Sequence, residues 1–313
     1  MIRRLLSGTI ALGLLCLATA CNNNNKPDQG TEAKGQGTAD SGSQKNTVPE
    51  KKEPVPEQKQ ADIKYSFIKK KDWQSQKDSF EGAKHLDLLI AINRVDSSTI
   101  KRLDSIMIPD RYDLPLNAYM PFPETAEVLK PVKKILIFSN LHQAFAAYEH
   151  GKLVTQGQTN TGTKANPTPP KLYYCNWKAK RSISTVNSSW ILNWNFNVSN
   201  FGGIGFHQYA LPGYPASHSC MRLQRSDAFF LYNWAEQWIM QNDQVVANGT
   251  PVLLYSEYPF GKPRPWFALI EDPKAMTITQ EMLNDMFKGY LPEILEKQKQ
   301  REALTSNEKQ EEV

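Results

Sequence analysis

Residues 205–223 read GFHQYALPGYPASHSCMRL, and the fold and chemistry of the chain are most directly indicated by this stretch. It holds two of the five histidines, His207 and His218, and one of the four cysteines, Cys220. A thiol becomes a strong nucleophile only as a thiolate, and a nearby imidazole is the usual group that generates one at neutral pH. The stretch therefore indicates a Cys–His pair on a loop that follows a strand.

Two interpretations of Cys220 fit its position between a Pro-rich turn and a short apolar element. In the first, Cys220 is a nucleophile, His207 acts as its base from the end of a strand, and Arg222 supplies positive charge. His218 points to the same side as the thiol if the segment is extended, or else it packs inward and braces the loop. In the second, Cys220 is an inert buried thiol or is disulfide-bonded to Cys175. Spacing alone leaves both open.

The N-terminus has the pattern of an export signal. A short basic start is followed by an apolar run, residues 5–20, that ends at Cys21 and is too short to span a bilayer comfortably. We therefore predict a signal peptide at residues 1–20. Residues 18–21, ATAC, resemble a bacterial lipobox, which implies that Cys21 is lipidated and holds the protein on a membrane. Ordinary signal cleavage is the alternative. Asn follows Cys21, so in a Gram-negative host the resemblance implies the periplasmic side of the outer membrane.

The composition of residues 21–62 differs from that of the rest of the chain. This segment is polar, charged and Pro-rich with almost no large apolar residue, which predicts a disordered tether. Residues 63–131 are predicted to form a small α-rich pre-domain. Within it, residues 89–109 resemble the latter half of a LysM-type glycan-binding module, although we favour a structural pre-domain over a glycan binder.

The net charge of +5 is small, and the basic residues are interleaved with acidic ones. No basic stripe is formed, so the sequence does not indicate a nucleic-acid partner. A mild positive balance suits a site beside anionic cell-wall polymer.

Residues 132–256 are predicted to be mainly β, followed by a C-terminal extension at 257–313 that carries an amphipathic helix. Strands are expected at 134–138, 144–148, 152–156, 190–194, 203–207 and 250–255. A helix capped by Ser226 is expected over 227–240, and another over 279–296 with Pro292 as a possible kink and a frayed charged end.

Residues 217–223, SHSCMRL, with His207 upstream, resemble the active-site signature of L,D-transpeptidases of the YkuD type. That signature has a histidine, a variable loop, then Ser/Thr-His-Gly-Cys, an apolar residue, and Asn or Arg. Similarity extends to the Thr161–Gly162 step and covers about residues 132–256. The resemblance implies a YkuD-type β-sandwich catalytic domain, preceded by the small α-rich region and followed by the C-terminal helix.

The resemblance also implies a reaction. Cys220 attacks a carbonyl of a peptidoglycan tetrapeptide stem, releases the terminal D-alanine, and passes the acyl group from a thioester to an amine of an acceptor stem. His207 is the general base, and backbone N–H groups form the oxyanion hole. No metal or cofactor is required. The implied supporting and binding residues are His218, Ser217, Ser219, Gln208 through its backbone carbonyl, and Arg222 as a carboxylate contact.

Two departures from the family pattern leave other functions open. Ser219 stands where the family has glycine, which permits backbone conformations that a side chain resists. The loop between His207 and His218 is also shorter than the common spacing. With water as acceptor the enzyme is an L,D-carboxypeptidase, and with a protein lysine it is a protein-to-wall ligase. A non-catalytic cell-wall-binding lipoprotein is the alternative from another class.

Overall fold

The computed structural model describes residues 63–75 and 85–311. The predicted signal peptide, the lipidation of Cys21 and the tether lie outside these residues. The described part is mostly β with several sheets and a few helices, including a C-terminal one, which confirms the predicted fold class at this level. No helix in residues 63–75 or 85–311 is both long and apolar enough to cross a membrane.

A five-stranded sheet forms one layer. Its strand order is β5-β4-β3-β13-β6, and β3 runs parallel to β13 while its other pairs are antiparallel. Both faces are buried: Ile135 and Ile137 pack with the C-terminal helices, and Leu136 and Phe138 face a second sheet. The strands are β3 Ile135–Ser139, β4 Ala144–Glu149, β5 Lys152–Gln158, β6 Lys171–Tyr174 and β13 Pro251–Tyr255.

The second sheet has four strands in the order β10-β9-β8-β7, in which β9 and β10 are parallel. It packs on the first sheet through aromatic side chains: the rings of Phe138 and Phe206 lie 5.9 Å apart across the two sheets, and Phe206 packs 5.2 Å from Phe196 within its own sheet. The strands are β7 Lys178–Ile183, β8 Ile191–Ser199, β9 Ile204–Gln208 and β10 Met221–Leu223.

The N-terminal unit has an opening strand that the sequence pattern did not reveal. Strand β1, Tyr65–Lys69, pairs antiparallel with β2, Ser105–Pro109. The helices between them in the described residues are α1 Lys70–Ser75, α2 His85–Asn93 and α3 Ser97–Ile100. The N-cap of α3 is Asp96, whose side chain accepts from Ser98 N–H and Thr99 N–H. The likeness to a LysM module remains a prediction.

The remaining helices correct several expectations. Helix α4, Arg225–Trp234, is preceded by Gln224 as N-cap instead of Ser226, and it ends well before residue 240. Strands β11 Ile239–Gln241 and β12 Gln244–Ala247 follow it. The C-terminal segment forms two helices, α5 Gln280–Phe287 and α6 Leu291–Glu311. Pro292 therefore lies in the first turn of a helix, where its missing N–H costs nothing, and the charged end stays helical.

Arg94 joins the N-terminal unit to the large sheet. It is 1% exposed and has a left-handed φ of 60°. Its guanidinium donates to the carbonyls of His142 (2.9 Å) and Ala91 (2.6 Å) and lies over the buried Trp266 ring. His142 lies buried in a turn, and burial, with the Arg94 charge beside it, lowers its pKa to about 3.

We expect Arg94→Ala to lower the free energy of unfolding by about 3 kcal/mol, because it removes charged hydrogen bonds to two carbonyls and leaves a cavity. Urea denaturation measures this. Arg102→Ala is the matched control, since Arg102 is exposed, and should change stability by less than about 0.5 kcal/mol. Equal stability of the two variants would refute a structural role of the buried guanidinium.

Candidate active site

The parallel pairing of β9 and β10 assembles three of the residues that the sequence analysis selected. His207 is directly opposite Arg222 in the register, and Cys220 immediately precedes β10. Phe206 and Met221 are buried between the two sheets. Because successive side chains of a strand point to opposite faces, His207 and Arg222 project away from the core. They line one cleft together with Cys220.

The cleft has a volume of about 90 Å³. Its floor is formed by β9 and β10, and the hairpin of β7 and β8 forms its other wall. Trp177 and Trp190 line the cleft, whereas Trp194 packs on Phe229 and Tyr232. The apolar side chains of this wall are Ile183, Val186 and Leu192.

His207 is held as a neutral base. Its Nδ1 lies 3.1 Å from the backbone oxygen of Gln208. A carbonyl oxygen only accepts hydrogen bonds, so Nδ1 carries the proton and the lone pair of Nε2 is free. Burial, with a smaller effect of the Arg222 charge, lowers the pKa of His207 to about 4 despite the Gln208 bond. The imidazole is therefore uncharged at neutral pH.

The Cys220 thiol is free and partly exposed, and its Sγ donates to the carbonyl of Gly203 at 3.5 Å. Burial raises the pKa of this thiol, and the backbone N–H of Gly205 and the Arg222 charge oppose that rise only in part. Cys175 is also a free thiol and is fully buried between the sheets. The resting site thus pairs a neutral thiol with a neutral imidazole rather than a thiolate with an imidazolium.

Ser217 holds the turn before Cys220 through two hydrogen bonds. Ser217 is buried, its N–H donates to the carbonyl of Thr161, and its hydroxyl donates to the carbonyl of Cys220. Ser219 adopts a left-handed φ of 73°, the conformation that glycine favours. Within residues 85–311, the N–H groups of Ser219 and Cys220 have no hydrogen-bond acceptor. Two free donors therefore lie beside the thiol, as an oxyanion requires.

His218 does not pack inward. It is exposed, lines the cleft, and its ring lies 4.9 Å from that of Trp190 on the opposite wall. This contact connects the segment before Cys220 to the β7–β8 hairpin. His218 therefore lies at the mouth of the cleft.

Arg222 has an aromatic partner that the sequence analysis missed. The guanidinium carbon lies 4.6 Å from the ring centre of Tyr209, and one Nη donates to the carbonyl of Ala210 at 3.4 Å. Tyr209 lies two residues after His207, so strand alternation was a signal that could have placed it in the cleft. Among the described residues, no carboxylate pairs with Arg222.

The arrangement suits acyl transfer. One cleft holds a thiol, a neutral imidazole, two N–H groups without an acceptor in the described residues, and a cation without a carboxylate partner there. Together these groups can attack a carbonyl and stabilise the resulting oxyanion. In the described part of the chain, no cluster of three or more His, Cys, Asp or Glu residues is arranged to hold a metal ion.

Comparison with known proteins identifies the domain. Residues 133–254 match YkuD, the L,D-transpeptidase catalytic domain, which confirms the resemblance over that range. No curated protein matches the chain. Similar solved structures are L,D-transpeptidases from Stackebrandtia nassauensis (23% identity, 41% of this chain and 57% of that one, TM-score 0.34), Mycobacterium tuberculosis H37Rv (20%, 40%, 58%, 0.32) and Mycobacterium smegmatis (16%, 40%, 59%, 0.32). The chain thus spans less than two thirds of each, and only the family match carries the assignment.

Ser219→Gly should raise the free energy of unfolding by about 0.5–1 kcal/mol, because it removes a Cβ from a left-handed residue, although glycine also gains freedom in the unfolded chain. Chemical denaturation measures the change. The control is Ser226→Gly in the first turn of α4, which should not stabilise the protein. A loss of stability in Ser219→Gly would show that the serine side chain contributes a favourable contact.

Alkylation of Cys220 by iodoacetamide should accelerate with rising pH and should still be accelerating above pH 9.0, because the thiolate is the reacting species and burial raises the thiol pKa above that ordinary value. Cys220→Ala gives the background from the remaining thiols. A rate that levels off below pH 7 would instead indicate a preformed thiolate–imidazolium pair.

Proposed function

Residues 133–254 carry the L,D-transpeptidase catalytic domain of the YkuD family, and from that premise we propose that this protein is a cysteine-dependent L,D-transpeptidase acting on the tetrapeptide stems of peptidoglycan. The observation that carries the proposal is the shared cleft face of β9 and β10, where the Cys220 thiol, the neutral His207 and the Arg222 cation meet.

Acylation follows from the protonation states. His207 Nε2 takes the proton of the Cys220 thiol as Sγ attacks the stem carbonyl. The negative charge on the former carbonyl oxygen is stabilised by the N–H groups of Ser219 and Cys220, where removing one donor typically costs about 10²–10³ in rate. The carbon–nitrogen bond then breaks, and the imidazolium returns its proton to the departing D-alanine amine. A thioester on Cys220 remains.

Transfer to the acceptor reverses the roles. An amine of a second stem attacks the thioester, and His207 accepts one of its protons. The carbon–sulfur bond breaks and the imidazolium gives the proton back to the Cys220 sulfur, so the thiol is regenerated. The low pKa of the buried His207 favours this return, since the charged ring is disfavoured once no anion lies beside it.

We assign substrate-carboxylate binding to Arg222. Its guanidinium lies in the cleft over the Tyr209 ring, and in residues 85–311 it has no ion-pair partner, so most of its donors are free for a carboxylate. Stem peptides carry such carboxylates beside the reacting carbonyl.

The serine at position 219 is compatible with catalysis. The residue already has the left-handed backbone that glycine adopts readily, and its N–H remains unpaired within the described residues. This supports an active enzyme over a non-catalytic wall-binding lipoprotein. Hydrolysis and ligation to a protein amine share the same thioester, so the acceptor decides among them.

We further propose that the protein is exported and anchored through lipidated Cys21, on the periplasmic side of the outer membrane if the host is Gram-negative. Residues 21–62 would then link the lipid to the domain. For residues 63–131 we propose a structural role in preference to a LysM-like glycan-binding one.

Incubation of the purified chain with tetrapeptide-rich wall material, followed by mass spectrometry of muropeptides, tests the proposal. Dimers linked directly between diamino-acid residues, with loss of one alanine, are expected. Tripeptide monomers alone would indicate a carboxypeptidase, and attachment to added protein would indicate a ligase. Unchanged muropeptides would contradict all three enzymatic functions.

Cys220→Ala should abolish both these products and the covalent adduct with a carbapenem, whose strained carbonyl mimics the acyl donor. Because the side chain is partly exposed, stability should change by less than about 1 kcal/mol. Intact-protein mass spectrometry reads the adduct. Cys175→Ala is the matched control and should keep it, since Cys175 is buried away from the cleft. Unfolding of Cys220→Ala would instead identify this cysteine as structural.

A further inference from the structure

The loop that joins β9 to Cys220 is held at both ends by backbone hydrogen bonds. At its start, Tyr209 N–H donates to the carbonyl of Leu223, and at its end the N–H groups of Ala216 and Ser217 donate to the carbonyl of Thr161. Between these anchors, within the described residues, the amides that donate hydrogen bonds are those of Leu211 and Gly213. The partners of these two amides therefore set the course of the loop.

Asp96 of the N-terminal unit is the partner of Leu211. Its Oδ2 accepts from Leu211 N–H at 2.7 Å, and its own N–H donates to the carbonyl of Leu211 at 3.1 Å. Its Oδ1 accepts from the N–H groups of Ser98 (3.0 Å) and Thr99 (2.7 Å) in the first turn of α3. The two carboxylate oxygens of Asp96 thus join the N-terminus of α3 to the loop between β9 and Cys220.

Neighbouring residues strengthen the same junction. Val95 forms a β-bridge with Pro212, and a Cβ at Gly213 would come within 2.8 Å of Val95 Cγ1. Asn160 connects the segment that carries Arg94 with the loop that carries Gly213. Its Nδ2 donates to the carbonyl of Arg94 (3.3 Å), and its Oδ1 accepts from Gly213 N–H (3.1 Å). Because Arg94 is fully buried, the junction has a rigid base.

We propose that Asp96 is a positioning residue for the acyl-transfer reaction: it fixes the loop between His207 and Cys220, so that the N-terminal unit holds the thiol within reach of the base. This inference rests on the proposed transpeptidase function. Asp96 touches neither substrate nor reacting atoms, and it acts through Leu211. An error of about 1 Å in such a placement is enough to cost about 10²-fold in rate.

Asp96→Asn tests the proposal in the full chain. Asparagine caps helices as well as aspartate does, but it has one acceptor oxygen, so it cannot serve both α3 and Leu211. We expect kcat for transfer from a tetrapeptide donor to fall about 10- to 100-fold, with KM changed less than about twofold. Iodoacetamide alkylation of Cys220 should not change once the pH exceeds the thiol pKa, because the thiolate then forms without the base.

Asp110→Asn is the matched control. Asp110 makes the same two-bond clamp on Lys64, with its carboxylate accepting from Lys64 N–H (2.9 Å) and its N–H donating to the Lys64 carbonyl (2.8 Å), at the far ends of β1 and β2. It is matched for the loss of one carboxylate charge: asparagine keeps the one acceptor oxygen that Lys64 uses, so this variant should lose little stability and keep wild-type kcat. If Asp96→Asn does not fold, Asp96→Ser, which retains the cap alone, replaces it with the same expectation.

A wild-type kcat in a folded Asp96→Asn variant, or an equal loss of kcat in Asp110→Asn, would overturn the inference while leaving the transpeptidase function intact. Slower alkylation of Cys220 in Asp96→Asn would also overturn it, because it would show a collapsed cleft instead of a misplaced base. A wild-type chain without acyl transfer would refute the proposed function and this inference together.

Discussion

The parallel pairing of β9 and β10 is the constraint on which the rest of the site depends. Phe206 and Met221 fill the space between the two sheets, and strand alternation then leaves no orientation for His207 and Arg222 except toward the cleft. Packing energy from the sandwich core therefore orients the groups proposed for catalysis. The base is carried on a rigid strand, and only the segment carrying Cys220 is irregular.

Burial also sets the protonation state of the pair. It lowers the pKa of His207 and raises that of Cys220, so both groups are neutral at rest and a proton moves only as the sulfur attacks. A neutral imidazole held by the Gln208 carbonyl is competent as a base over the whole neutral range. The Arg222 charge disfavours the imidazolium of His207 and favours the thiolate of Cys220, so it acts on both sides of this balance.

The N-terminal unit is continuous with the catalytic domain in its interactions. Arg94 enters the core beside His142, and Asp96 holds the loop that leads to Cys220. An isolated glycan-binding module would not need these contacts, which is why a structural role accounts better for this unit. The same contacts hold a short loop that is otherwise bound at its ends and through Asn160.

The sequence by itself determined the main strands, the helix-rich start, the helical C-terminus and the grouping of His207, Cys220 and Arg222, because these follow from local periodicity and from one contiguous motif. It did not reveal the edge strand β7, whose exposed, charged residues lack alternation, or the burial of His142. Tertiary structure alone decided the pairing of Tyr209 with Arg222 and the clamp of Asp96 on Leu211. Those contacts join segments whose approach depends on how the sheets and the N-terminal unit pack, and no local pattern encodes it.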